Sequence, residues 1–212
     1  MWIGFADELE QRLKLPLPGS RAHEPLRATP IGMIKPKFEH PLPPKPGSVL
    51  ILLYMDGDKL KFPLTKRPEY LGAHSGQISL PGGKAEAGED EIQTALRETE
   101  EEIGVSRSEI RVLGKLSKFF VIPSNFIVTP VIGYLNQKPV FTAQVTEVTR
   151  IIEGDLEQLI SERAIHTKEI IAAKLYPMLA PHFNIESEVV WGATAMMLNE
   201  LREVVREVKS KQ

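Results

Sequence analysis

Gly83-Lys84-Ala85-Glu86-Ala87-Gly88-Glu89 is followed seven residues later by Arg97-Glu98-Thr99-Glu100-Glu101-Glu102-Ile103-Gly104-Val105. Asp90 with Gln93 three residues on has the form of a capping box, so a helix is predicted to start near Asp90 and to end at Gly104 as its C′ residue. Glu98, Glu100, Glu101 and Glu102 then crowd a helix C-terminus, where the macrodipole disfavours negative charge. Like charges at i,i+3 and i,i+4 add about 0.2–0.5 kcal/mol per pair. The cluster calls for a cation. On a helix, Glu98, Glu101 and Glu102 fall within an arc of roughly 100° and are expected to converge on one spot, while Glu100 points elsewhere. Ile92, Leu96, Thr99 and Ile103 occupy another face, which can pack on a sheet.

Three carboxylates are hard oxygen ligands suited to Mg²⁺ or Mn²⁺; zinc is disfavoured without cysteine or a histidine cluster. Leu80-Pro81-Gly82-Gly83 supplies a complement, because glycine lets a main-chain carbonyl or amide approach an ion or phosphate. Arg97 is placed to form a bidentate pair with Glu89 and hold the loop against the helix. On these residues alone, a solvated acidic helix face is the competing reading.

The rest of the chain sets the frame. Its 212 residues and 42% hydrophobic content suit one globular domain with decoration. A net charge of −2 gives no global case for nucleic acid or an anionic membrane. No apolar run approaches the ~20 residues that span a bilayer. Met1 to Gln11 lack the basic and apolar regions of a secretory signal, so cytoplasmic location is the default expectation. The absence of cysteine excludes thiol catalysis and disulfides.

Trp2, Phe5, Leu9 and Leu13 form the stripe of a short amphipathic helix. A proline-rich stretch from Leu15 to Pro46 is expected to be an extended arm, so residues 1–46 are read as an N-terminal helix and arm, and 47–212 as the main domain. The helix stripe has no partner assigned by sequence; a homodimer or docking within the chain would each cover it. Strands are predicted at 49–54, 59–65, about 110–121, 126–135 and near 165–175, with Pro123-Ser124-Asn125 as a turn. A short helix is expected at 155–162. From Ala193 to Lys209 an apolar stripe lies opposite Glu200, Arg202, Glu203, Arg206 and Glu207. Strands interleaved with helices imply an α/β fold, a mixed sheet with helices on both faces.

The spacing Gly-x5-Glu-x7-Arg-Glu-U-x-Glu-Glu-x-Gly-U, with U a bulky apolar residue, resembles the box of the Nudix hydrolases. Gly83, Glu89, Arg97, Glu98, Glu101, Glu102 and Gly104 match its fixed letters, and Val105 fills the last apolar position. Thr99 departs from the usual aliphatic residue at the first. The resemblance implies an α/β/α sandwich and hydrolysis of a nucleoside diphosphate linked to another moiety. It implies metal ligation by Glu98, Glu101, Glu102 and the Gly83 carbonyl, with Mg²⁺ or Mn²⁺ lowering the pKa of an attacking water. Arg97 and Glu89 would support those ligands. Glu101, Glu86 and Glu147 are all open as the general base.

Upstream, Leu64-Thr65-Lys66-Arg67 and His74-Ser75-Gly76-Gln77-Ile78-Ser79-Leu80-Pro81-Gly82-Gly83 resemble the additional motif of the coenzyme A pyrophosphatase branch. Pro63, Pro68 and Gly72 depart from it, Gly72 standing where a second arginine is expected. Arg67, His74, Gly76, Gly82, Gly83 and Lys84 are the expected substrate contacts, with Lys66, Arg67, His74 or Lys84 open as the replacement cation. Val190-Trp191-Gly192-Ala193-Thr194-Ala195 resembles the segment that opens the last helix in this branch. A nucleotide-type small molecule is therefore the expected partner. Coenzyme A or its thioesters lead; ADP-ribose or a dinucleotide is the second reading, and a non-catalytic nucleotide-binding protein the third.

Overall fold

The computed structural model describes residues 2–31, 36–68, 76–173 and 175–210. The N-terminal stripe forms α1 (Phe5–Leu13), which buries Phe5, Leu9 and Leu13. The arm that follows is not simply extended. It carries α2 (Ser20–His23), a turn of 3-10 helix at Glu24–Leu26 and a two-residue strand, β1 (Thr29–Pro30). Pro25 falls within the 3-10 turn, where its missing N–H costs nothing, and Ala22, His23 and Leu26 are buried. The proline signal therefore marked a start as well as a break.

β2 (Lys45–Asp56) turns through Gly57 into β3 (Lys59–Lys66). β4 (Ile78–Ser79) and β5 (Gly82–Lys84) lead into α3 (Glu91–Ile103). β6 (Arg111–Lys115), β7 (Phe119–Val121) and β8 (Phe126–Leu135) follow. Then come β9 (Arg150–Asp155), α4 (Leu156–Ile160), β10 (Ile165–Ala172), β11 (Tyr176–Ile185), β12 (Glu188–Trp191) and α5 (Gly192–Lys209). The predicted strand at 110–121 is thus two, broken at Leu116–Lys118, where Leu116 is buried and Ser117 donates through both N–H and Oγ to Glu200. β9, β11 and β12 had no sequence expectation.

One sheet runs β4-β3-β2-β8-β6, with β5 paired to β2, β7 to β8 and β9 to β3. It is mixed: β2 and β8 are parallel, from Lys45↔Phe126 to Tyr54↔Leu135, and the other pairs are antiparallel. The apolar run in β2 is continuous because both faces are covered. Leu50, Leu52 and Tyr54 pack with Ala95 and Ile103 of α3, whereas Ile51 and Leu53 join the cluster that includes α1 and α5. This is an α/β/α sandwich. A second, antiparallel sheet, β1-β11-β10 with β12 on β11, extends beside it.

Phe5, Leu9, Leu13 and Leu26 enter the same cluster as Leu198, Leu201, Val204 and Val205 of α5. The face that motivated a homodimer is covered within the chain. Glu200 and Arg202 correct the helical-wheel reading, which put them on the polar side of α5: they are 0% and 7% exposed. The arm explains this, because Gly19 N–H (2.9 Å) and His23 Nε2 (3.0 Å) reach Glu200. Arg202 donates to the Leu159 and Ser161 carbonyls behind α4, both at 3.0 Å.

Candidate active site

The capping box is formed: Asp90 Oδ1 accepts from Gln93 N–H at 2.8 Å, and Gln93 Oε1 from Asp90 N–H at 2.9 Å. At the other end Gly104 has φ 72°, and a Cβ there would stand 2.8 Å from the Cβ of Thr142. The chain passes this close because the 142–144 segment caps α3, with Thr142 and Gln144 N–H donating to the Ile103 and Glu102 carbonyls, both at 2.9 Å. Glu147 sits on the same segment. Its N–H bonds to Gln144 O at 2.9 Å, and Thr149 N–H bonds to Lys66 O at 2.9 Å, so the segment is tied both to the helix and to the end of β3.

The three box glutamates leave one flank of α3 by different routes. Glu98 lies against Gly83, where an added Cβ would be 2.5 Å from Glu98 Oε1. Glu102 turns inward, 5% exposed, with Oε2 accepting from Gly82 N–H at 3.2 Å. Glu101 turns outward to Arg97 Nη1 at 3.0 Å, which also bonds Glu98 Oε1 at 2.9 Å. The three carboxylates thus rest apart instead of on one point, and among the described residues no three acidic or histidine side chains are gathered together. The Arg97 guanidinium draws two carboxylates and a main-chain amide draws the third.

Arg97 also anchors the loop. Nε and Nη2 bind Glu89 at 2.7 and 3.0 Å, and Nη2 bonds the Lys84 carbonyl at 3.1 Å. The Arg97 fork, aided by Glu86 N–H, holds the Glu89 carboxyl down at about 2. Glu98 and Glu102 shift the other way. Burial raises both, Glu102 to about 7, against the Gly82 N–H and the positive charge of Arg67. Glu147 adds to the rise in both, so its charge faces this flank.

These residues fit a hard divalent cation. The donor set is all oxygen, Glu98 packs on the bare Cα of Gly83, and two of its carboxylates are desolvated beyond what Arg97 offsets for Glu98 and Gly82 N–H and Arg67 offset for Glu102. Glu102 gives the site a pH signature. Its folded-state value of about 7 exceeds the unfolded 4.5, so the folded chain holds the extra proton. Metal-free stability is expected to fall as pH rises between those values, by up to about 3 kcal/mol. Thermal melts in chelator from pH 5 to 8 check this; added Mn²⁺ should recover more stability at pH 8 than at pH 5.

Of the expected substrate contacts, Arg67 is half-buried at the end of β3, with its N–H bonded to Gln77 O at 3.0 Å. Gly76 has φ 66° and donates to Pro68 O at 3.3 Å. Lys84 is exposed, its carbonyl taken by Arg97. Lys66 Nζ is paired with Glu188 at 2.8 Å. His74 and Gly72 lie outside the described residues. Glu86 is exposed and lines a hollow beneath the N-terminus of α3 with Glu89, Lys118 and Ile127. Thr194 Oγ1 donates to Ile78 O at 3.2 Å, binding the first turn of α5 to β4.

A loop-strand-helix unit with an arginine-braced carboxylate flank, on an α/β/α sandwich, defines the class. The NUDIX domain family matches residues 44–181, and the chain belongs to the Nudix hydrolases. It is 33% identical over 143 residues to the uncharacterized Nudix hydrolase NudL of Yersinia pestis, an alignment covering 67% of this chain and 71% of the relative. Among solved structures it resembles the Nudix hydrolase RenU of M. smegmatis, with TM-score 0.55 and 18% identity, over 78% of this chain and 88% of that one. A MutT/nudix family protein from Enterococcus faecalis aligns at TM-score 0.52 and 17% identity, over 84% and 66% of the two chains. The protein is a pyrophosphohydrolase of nucleotide derivatives.

Proposed function

We propose that the substrate is coenzyme A or an acyl-coenzyme A, cleaved at its pyrophosphate to 3′,5′-ADP and 4′-phosphopantetheine or its acylated form. The observation that carries this reading is Arg67: it belongs to the upstream motif with Thr65, Gly76 and Pro81-Gly82-Gly83, and its charge acts on Glu102 inside the box. A guanidinium there is available to a substrate phosphate. Glu98, Glu101, Glu102 and the Gly83 carbonyl would hold Mg²⁺ or Mn²⁺, which when bound neutralises phosphate charge and acidifies water. Arg97 keeps Glu98 beside Gly83 and fixes Glu89 against the loop. Glu147, on a segment tied to α3 and β3, is our choice to accept the proton of the attacking water.

Glu147→Gln is expected to lower kcat by about 10²-fold or more with little change in KM. Glu86→Gln should leave both unchanged. For the substrate, the test is product identity after incubation with coenzyme A, ADP-ribose and diadenosine polyphosphates in Mg²⁺. Release of 3′,5′-ADP supports the proposal. Turnover of ADP-ribose with coenzyme A intact would favour the second reading, for which Gly72 in place of an arginine is the motive.

A further inference from the structure

A cavity of about 510 Å³ opens where the two sheets meet, walled by β3, β9, α4 and the ends of β10 and β11. It is remote from the glycine loop. Lys66 and Thr65 of β3 pair with β4, next to that loop, whereas the cavity takes Lys61 and Lys59 from the other end of the strand. The two ends of β3 are roughly 17–23 Å apart on the usual strand rise.

The acids in the cavity wall are already matched. Glu153 binds Lys138 at 2.7 Å and the Tyr54 hydroxyl; Glu186 binds Arg150 at 2.6 Å and Glu153 N–H at 3.2 Å. Asp155 caps α4 through Glu157 N–H at 2.9 Å. Among the bases, only Lys61 has a close partner, Asp56 at 2.7 Å. Arg163 makes no hydrogen bond or ion pair among the described residues, and Lys59 has only Asp155, at 3.7 Å. The exposed His166 lies beside the buried His182, ring centroids 5.9 Å apart and tilted by 38°, and its nitrogens have no hydrogen-bond partner among the described residues. The unmatched groups are thus basic, and one is a guanidinium fork suited to phosphate oxygens.

We propose that this cavity is a second ligand site, for a phosphate-bearing small molecule, with Arg163 and His166 as its anion contacts and Lys59 at its mouth. Inorganic pyrophosphate in chelator, titrated by ³¹P NMR, tests it with the metal-dependent site silenced. Wild type should bind saturably. Arg163→Gln with His166→Gln should weaken binding about tenfold or more, and Lys59→Gln to a lesser degree, while Arg67→Gln leaves it unchanged. Arg163, His166 and Lys59 are exposed, so melting temperature should hold in those variants. No saturable binding by wild type would overturn the proposal. So would affinity unaffected by the Arg163 and His166 changes, or binding lost in Arg67→Gln, which would put the anion at the hydrolytic site.

Discussion

Glu98→Gln combined with Glu102→Gln is expected to reduce turnover by about 10³-fold or more while the fold is retained. Both substitutions keep the side-chain volume and an oxygen acceptor, so Gly82 N–H still has a partner for residue 102. What disappears is charge. In wild type these two carboxylates are desolvated, and burial raises both. Neutral amides are therefore expected to stabilise the metal-free protein while disabling it. A variant with a higher melting temperature and no measurable hydrolysis is the result that separates a cation site from a structural acidic face. Unchanged turnover would return the cluster to a solvated helix surface.

Glu200→Ala should produce the largest loss of stability, about 3–5 kcal/mol by urea denaturation. The carboxylate is fully buried and accepts from Gly19 N–H, His23 Nε2, Ser117 N–H and Ser117 Oγ, with Ser117 Oγ at 2.6 Å. Truncation would strand four donors and loosen the arm from α5. Burial alone would raise the Glu200 carboxyl, but bonds from His23, Ser117 and Gly19 outweigh it and hold the group below 4.5. Its stabilisation is therefore present above 4.5 and is lost as pH falls through the lower folded value. Acid unfolding near that range should be advanced in Glu200→Gln, which leaves the arm's donors with a weaker acceptor.

The site was legible because its signals are local. Asp90, Gln93 and Gly104 fix the ends of α3 within the chain segment that also carries Arg97 and Glu98. Side-chain direction was less legible. Helical geometry gathers Glu98, Glu101 and Glu102 on one flank, but Arg97 Nη1 and Gly82 N–H, a competition no wheel contains, decide where each carboxylate rests. Glu147 was one of several open acids in sequence, and the observation on which we propose it is long-range, the bonding of its segment to Glu102 O and Lys66 O.

Non-local packing also explains what was missed in the fold. β11 carries Pro177 and Pro181, which argue against a strand with partners on both sides, and its buried face changes from Met178, Ala180 and His182 to Phe183 and Ile185. Neither alternation nor composition reveals such a strand. Glu200 and Arg202 read as solvent-facing because their partners, Gly19, His23, Ser117, Leu159 and Ser161, come from distant segments.

The most direct measurement is a Mn²⁺ titration followed by electron paramagnetic resonance, on wild type and on the Glu98→Gln, Glu102→Gln variant. Saturable binding by wild type, weakened at least about 10²-fold in the variant, is the expected result. Equal Mn²⁺ affinity in the two proteins would contradict the assignment of this flank as the cation site.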